Sequence, residues 1–212
     1  MLQGARHEHS EAIRGAASQL GIEIELVELR KASDVENLSA LILPGGESTT
    51  MRIASKSEQL MPALYDWLAE DDNRPVLGTC AGAILLATPE HGSPLIPAEI
   101  SRNGFGRQRD SFQADIKVAL DSDAKPVLLE NQRDSTGHLP LPLGNDLPSA
   151  EGYPGIFIRA PRFGDTSGVE DIAWLSEEVV GVRFHNRMAL TFHPELSGDY
   201  RFHRWLIKEA LT

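Results

Sequence analysis

With 212 residues, 41% of them hydrophobic, the chain is long enough to bury a sizeable core within one domain. Its 31 acidic against 20 basic side chains give a formal charge of −11, which argues against nucleic acid or an anionic membrane as a partner. One cysteine excludes an internal disulfide and a multi-thiolate metal site, and no apolar run approaches the roughly 18 residues of a membrane span.

No signal-like stretch opens the sequence, so a cytoplasmic protein is expected. The lysines are only Lys31, Lys56, Lys117, Lys125 and Lys208, the other bases being arginine. An acid-rich, lysine-poor surface suits high salt, where like charges are screened.

Met1-Leu2-Gln3-Gly4 reads as the last residues of a buried strand entering a glycine turn, the rest of the strand being absent. Ile13, Ala16, Ala17 and Leu20 then fall at helical spacing and Gly21 supplies a stop. Ile22, Ile24 and Leu26 alternate with Glu23 and Glu25, the pattern of a strand with one wet face. Ala40–Leu43 predicts a short buried strand halted by Pro44-Gly45-Gly46. Ser48 or Thr49 is expected to cap a helix running to about Ser55, and a second helix covers Leu60 to Ala69. Pro75-Val76-Leu77-Gly78-Thr79-Cys80-Ala81-Gly82 follows: an apolar strand, a Gly-x-Cys-x-Gly turn and a helix over Ala83–Ala87.

Thr88 to Pro97 reads as loop. Phe112, Ala114, Ile116, Val118 and Leu120 alternate as a strand, and Asp121–Pro154, with its five prolines, reads as a surface insertion in a single domain spanning 1–212. Gly155–Ala160, Ile172–Leu175, Val179–Phe184 and Met188–Phe192 predict strands in antiparallel pairs, joined by turns such as His185-Asn186-Arg187. Asp199–Leu211 closes the chain as a helix. Strand and helix alternating through the first half imply an α/β fold of three layers. Its sheet is expected to be mostly parallel, with helices on both faces and antiparallel strands near the C-terminus. In such sheets the working loops lie at the carboxyl ends of the strands, where those after Leu43 and Leu77 converge.

Cys80 carries the first chemical signal. In the serine form of this pattern, a sharp strand-to-helix turn lifts the nucleophile above the sheet edge, and a helix N-terminus favours the anionic thiol. A lone cysteine is otherwise a small buried hydrophobe; the flanking glycines and a partnering base decide between the two. Among seven histidines, His7, His9, His91 and His138 read as solvated surface, His185 as a turn and His203 as part of the last helix. His193 differs, because it ends an apolar strand and opens His193-Pro194-Glu195. Residues two apart on an extended chain share a side, so Glu195 is placed to orient the imidazole while its other nitrogen faces the thiol. Backbone amides of Ala81, Gly45 and Gly46 are candidate oxyanion donors, although Gly45-Gly46 is equally compatible with an ordinary turn. The polar stretch Ser101–Ser111 holds arginines suited to a carboxylate, and Arg159 is either a strand-end surface residue or a substrate contact.

Taken together, Leu43-Pro44-Gly45-Gly46-Glu47-Ser48-Thr49-Thr50-Met51, Gly78-Thr79-Cys80-Ala81-Gly82, Arg102–Gln108, Phe157-Ile158-Arg159-Ala160-Pro161 and Phe192-His193-Pro194-Glu195 resemble one family. It is that of the glutaminase subunits of pyridoxal 5′-phosphate synthase, class I (triad) glutamine amidotransferases with a flavodoxin-like fold. The resemblance implies Cys80 as nucleophile, His193 as acid/base and Glu195 as its orienter. It implies that Gly46, Glu47, Ser48, Arg102, Ile158 and Arg159 bind L-glutamine, and that neither metal nor organic cofactor takes part. It also implies a partner, the barrel-shaped synthase subunit, in a hetero-oligomer of the large-ring kind. The chain departs from the family in its shortened first strand, its longer Asp121–Pro154 segment and Gly104, where alanine or serine is commoner. Two other readings are an amidotransferase subunit of another pathway and a non-catalytic regulatory subunit of the synthase.

Overall fold

A computed structural model describes residues 4–54, 58–90, 92–102, 104, 111–120 and 152–212. In α1 (Arg6–Leu20) the buried positions His9, Ala12, Ile13, Ala16 and Ala17 repeat at three- and four-residue steps, which lays one face against the sheet. Gly21 ends the helix at φ 68°, its N–H reaching the Ala17 and Ser18 carbonyls. The expected strand over Ile22–Leu26 is not formed. Ile22, Ile24 and Leu26 do pack against the core while Glu23 and Glu25 face water. A groove of about 350 Å³ borders this segment, its lining including Ile13, Ile42, Leu206 and Ile207.

Seven strands form one sheet: β1 (Leu41–Leu43), β2 (Val76–Thr79), β4 (Phe112–Val118), β5 (Gly152–Phe157), β7 (Glu170–Leu175), β8 (Glu178–Phe184) and β9 (Arg187–Leu190). Their spatial order is β1-β2-β9-β8-β7-β4-β5. β1, β2 and β9 run parallel, and the remaining pairings are antiparallel. A separate ribbon pairs β3 (Ile100–Ser101) with β6 (Arg162–Phe163). Helices cover both faces of the parallel part, so the three-layer α/β expectation holds. β5 begins at Gly152 and ends at Phe157. Gly152–Pro154 therefore belongs to the sheet rather than to the insertion, whose remainder lies outside the described residues, and Arg159 follows the strand instead of sitting within it.

Side chains alternate across the sheet and divide the core. Ile42, Leu77, Met188 and Leu190 pack with α1 and α5 (Arg201–Glu209), along with Tyr153, Phe157, Phe192 and Phe202. Leu41, Leu43, Val76 and Ala189 face the opposite way, toward α3 (Leu60–Glu70) and α4 (Ala81–Ala87). Between β1 and α3 lies α2 (Ser48–Ala54). The residue capping α2 is neither Ser48 nor Thr49 but Glu47, whose carboxylate accepts the Thr49 amide at 3.1 Å and the Thr50 amide at 2.6 Å. Among the described residues no helix is long and apolar enough to cross a membrane.

Arg187, expected in a turn, is buried at the start of β9. Its guanidinium donates to the Leu68 carbonyl at 2.6 Å and the Leu95 carbonyl at 3.3 Å, and pairs with Asp72 at 3.0 Å. It thereby satisfies carbonyls at the end of α3 that the helix leaves open. Arg187→Met leaves those acceptors dry and is expected to cost about 2–4 kcal/mol in urea unfolding, with the far-UV spectrum retained.

Candidate active site

The turn from β2 into α4 is tight because glycine stands on both sides of it. A Cβ on Gly82 would lie 1.8 Å from the Leu43 carbonyl oxygen, and one on Gly78 would lie 2.6 Å from the Leu86 side chain. Between them Cys80 adopts φ 49° and ψ −104°, a backbone conformation that side-chain-bearing residues seldom occupy. It is held there by its own amide, which donates to the Leu190 carbonyl at 2.8 Å. That bond extends the β2–β9 register, in which Thr79 faces Leu190. The chain that leaves β9 therefore passes beside the cysteine.

His193 lies on that exit. Its amide donates to the Ile156 carbonyl at 2.8 Å, tying it to β5. Pro194 then starts a short 3-10 turn, Pro194–Leu196, that brings Glu195 back under the ring. The His193 Nδ1–H donates to Glu195 Oε1 at 2.8 Å. On the other side of the ring, Nε2 has no hydrogen-bond partner among the described residues, and the Cys80 side chain interacts with the imidazole. Gly45 closes the imidazole in from above: a Cβ there would come 2.4 Å from His193 Cε1. The Cys80 thiol reaches the Ile158 carbonyl at 3.8 Å.

A pocket of about 470 Å³ opens above the thiol. Its lining includes Gly45, Gly46, Glu47, Ser48, Cys80, Ala81, Arg102, Ile158, Arg159 and His193. Every residue singled out for nucleophile, base, oxyanion or substrate contact thus borders one space, save Glu195, which stands behind His193. Gly46 adopts φ 150°, and the Gly45 carbonyl accepts the Ala5 amide at 3.0 Å, so the start of α1 anchors this loop. Arg102 sits at the rim and donates to Thr49 Oγ1 at 3.1 Å. Arg159 is exposed at φ 47°. The other arginines of the Ser101–Ser111 stretch, Arg107 and Arg109, lie outside the described residues, as do His91 and His138.

At this site one expectation fails outright. His9 is fully buried, with Nε2 3.3 Å from Glu195 Oε2, and His203 lies beyond it at 2.9 Å. The signal was available: His9 falls at helical spacing from Ala12, Ile13 and Ala16 and so shares their inward stripe. His7 is exposed, as expected.

Charge in this cluster is set by opposing forces. Burial would raise the Glu195 carboxyl, but the imidazoles of His9 and His193 outweigh it and hold the group at about 2. Burial would depress His193; its contacts with Cys80 and Glu195 prevail and raise it to about 10. For His203 burial wins and brings it to about 3. Glu195 therefore contributes stability that is complete above pH 4.5 and is lost as pH falls toward 2. The His203 contribution is complete above pH 6.5 and fades toward pH 3, and that of His193 is complete below pH 6.5 and fades as pH rises toward 10. Urea midpoints measured across pH should fall on both sides of neutrality. Glu195→Gln is expected to flatten the limb below pH 4.5 and His203→Phe the limb between pH 6.5 and 3.

Residues 1–129 and 144–212 match the SNO glutamine amidotransferase family. A relative from Thermococcus gammatolerans, named pyridoxal 5′-phosphate synthase subunit PdxT, is 38% identical over 99% of this chain and 96% of its own length. Its namesake from Thermococcus kodakarensis is 37% identical with the same coverage. A crystal structure described as a glutamine amidotransferase superposes with a TM-score of 0.70 at 34% identity, covering 99% of this chain and 96% of the other. The glutaminase domain of the Trypanosoma brucei CTPS, 10% identical with a TM-score of 0.57 over 100% of this chain and 90% of the other, shares the fold. By sequence, by fold and over nearly its whole length, the chain belongs to the SNO glutamine amidotransferase family.

Proposed function

We propose that the chain hydrolyses L-glutamine to L-glutamate and ammonia through Cys80, His193 and Glu195, and passes the ammonia to the synthase subunit that makes pyridoxal 5′-phosphate. The observation that carries this reading is the single pocket bordered by the thiol, its base and a glycine loop. The names of the relatives, which are subunits of pyridoxal 5′-phosphate synthase, support the pathway.

The steps follow from the geometry. His193, raised to about 10 by its contacts with Cys80 and Glu195, holds the thiol proton on Nε2 at neutral pH, while Glu195 holds the opposite nitrogen and stabilises the imidazolium. The sulfur attacks the side-chain amide carbon of glutamine, and the carbonyl becomes an oxyanion. Amides of Ala81 and of the Gly45–Gly46 loop are the donors for it, because these backbones border the space above the sulfur. The intermediate collapses to a thioester as His193 returns the proton to the departing ammonia. Water, deprotonated by His193, then attacks the thioester; glutamate leaves and the thiol is restored. None of these steps calls on a metal or organic cofactor.

Arg102, Arg159 and the Ser48 hydroxyl supply polarity around the amino-acid end of the substrate, and Ile158 covers its methylenes. Glu47 acts through its cap on α2. The Thr50 hydroxyl and the Thr50 and Thr49 amides hold this carboxyl at about 2, so it stays ionised and keeps the Gly46–Ser48 backbone in place. Ammonia must reach the synthase away from bulk water, where it would be protonated and lose its nucleophilicity. A hetero-oligomer with the pocket mouth facing the barrel meets that need.

Cys80→Ala should fold and still associate with the synthase barrel while glutamate release falls by at least about a thousandfold, the scale seen when a nucleophile is removed from a triad. Glutamate release that persists in this variant overturns the assignment. Glutamate release that is no faster with the pyridoxal phosphate barrel than without it points to an amidotransferase of another pathway.

A further inference from the structure

The Glu195 carboxylate is gripped from behind as well as from the front. His9 Nε2 is 3.3 Å from Glu195 Oε2 and 3.0 Å from Thr79 Oγ1, while its Nδ1 is 2.9 Å from His203 Nε2. His9, Thr79 and His203 are each 0% exposed. Burial lowers both His9 and His203, so at neutral pH each ring is uncharged and carries one N–H.

Two proton arrangements are open to the pair. In the first, His203 donates from Nε2 to His9 Nδ1, and His9 donates from Nε2 toward Glu195 and Thr79. His203 Nδ1 is then left without a partner, and Glu195 Oε2, which takes part in no formed hydrogen bond, has the His9 N–H facing it at 3.3 Å. In the second, His9 donates from Nδ1 to His203, and its Nε2 lone pair faces the carboxylate at 3.3 Å. That leaves Oε2 without an imidazole donor and strands the remaining N–H of His203 in the core. A stranded N–H, together with a lone pair turned against a buried carboxylate, costs more than one unpaired imidazole lone pair, so the first arrangement prevails.

We infer that His9 is a positioning residue that fixes the Glu195 carboxylate through its Nε2–H, and that His203 holds His9 in the tautomer able to do so. Each oxygen of Glu195 then meets one imidazole, His193 on Oε1 and His9 on Oε2. With Oε1 hydrogen-bonded to His193 and Oε2 facing the His9 N–H, rotation of the carboxylate is opposed, the His193 Nδ1–H has one direction to point, and Nε2 stays turned toward Cys80. The relation parallels the way a partner behind a ligating imidazole sets its tautomer and orientation. Thr79, one residue before the cysteine on β2, shares the His9 N–H and couples the device to the elbow. The charged and titratable groups facing the cluster are His193 beside Glu195, Glu8 on the same helix as His9, Arg204 beside His203 on α5, and Tyr153 from β5.

This inference rests on the glutaminase reading, so its test includes one measurement that needs no substrate. In the full chain labelled with ¹⁵N-imidazole, His9 should be neutral with its proton on Nε2. His9→Leu should lower the His193 titration midpoint by roughly one pH unit, a tenfold change in proton affinity. Glutamate release, assayed with the synthase barrel, should fall about tenfold in kcat, with KM within about twofold of the parent. His9→Gln carries an N–H the same number of bonds from Cα as Nε2 and should restore most of both. The inference is overturned if folded His9→Leu leaves the His193 titration unchanged, or if His9→Gln is as damaged as His9→Leu. If His9→Leu does not fold, the parent spectrum decides, and a proton on His9 Nδ1 overturns it. Should the titration shift as expected while even the parent releases no glutamate, the positioning role stands and the glutaminase reading falls.

Discussion

The parallel pairing of β2 with β9 is the constraint on which the site depends. Its register sets Thr79 against Leu190, and the Cys80 amide adds one more bond to the Leu190 carbonyl. Each strand then runs off the same edge of the sheet, one into a helix through the cysteine and the other into His193. A slip of one residue would invert the side chains of β9 relative to the core and carry the imidazole away from the sulfur. The register is fixed in turn by the core, because Met188 and Leu190 fill one face while Ala189 fills the other.

Holding a cysteine at positive φ costs of order 1–3 kcal/mol, and that strain persists only where neighbouring contacts over-determine it. Here they do. Gly82 lets α4 approach the Leu43 carbonyl more closely than any side chain permits, and Ile84, Leu85 and Leu86 are buried beyond it. The same logic applies to Gly45, whose missing side chain is the room that His193 occupies. These glycines are best understood by the atoms that stand where their Cβ would be.

How much of this was legible in the sequence depends on how local the cause is. The elbow, the α1 stripe and the alternation of β4 each follow from a few adjacent residues, and the structure contains all three. The segment over Ile22–Leu26 shows correct alternation yet forms no ladder, because a strand needs a neighbour and alternation reports only which side is wet. Glu47 as the cap of α2 was missed because serine and threonine at the next two positions offered better-known caps, and the choice turned on where the helix begins. Arg187 resembled a turn residue because the carbonyls it satisfies come from α3 and the Leu95 loop, both far from it in sequence. His9 is the instructive miss. Its charge-capable ring suggested water, whereas its place in the helical repeat put it in the core, and the repeat was the stronger guide.

That burial explains why so many imidazoles gather around one carboxylate. An ionised glutamate with no exposed side-chain surface requires compensation, since a buried charge without partners is far costlier than any one hydrogen bond returns. One imidazole can satisfy one oxygen and leave the other pulling on nothing. The inferred His9 N–H, 3.3 Å from the second oxygen, sets a positive dipole against it and opposes rotation of the group. The ring in front, the proposed base, keeps its second nitrogen on the thiol side, and the ring behind is kept neutral by its depth. Stabilising a buried anion and aiming a base are, in this fold, one arrangement of the same atoms.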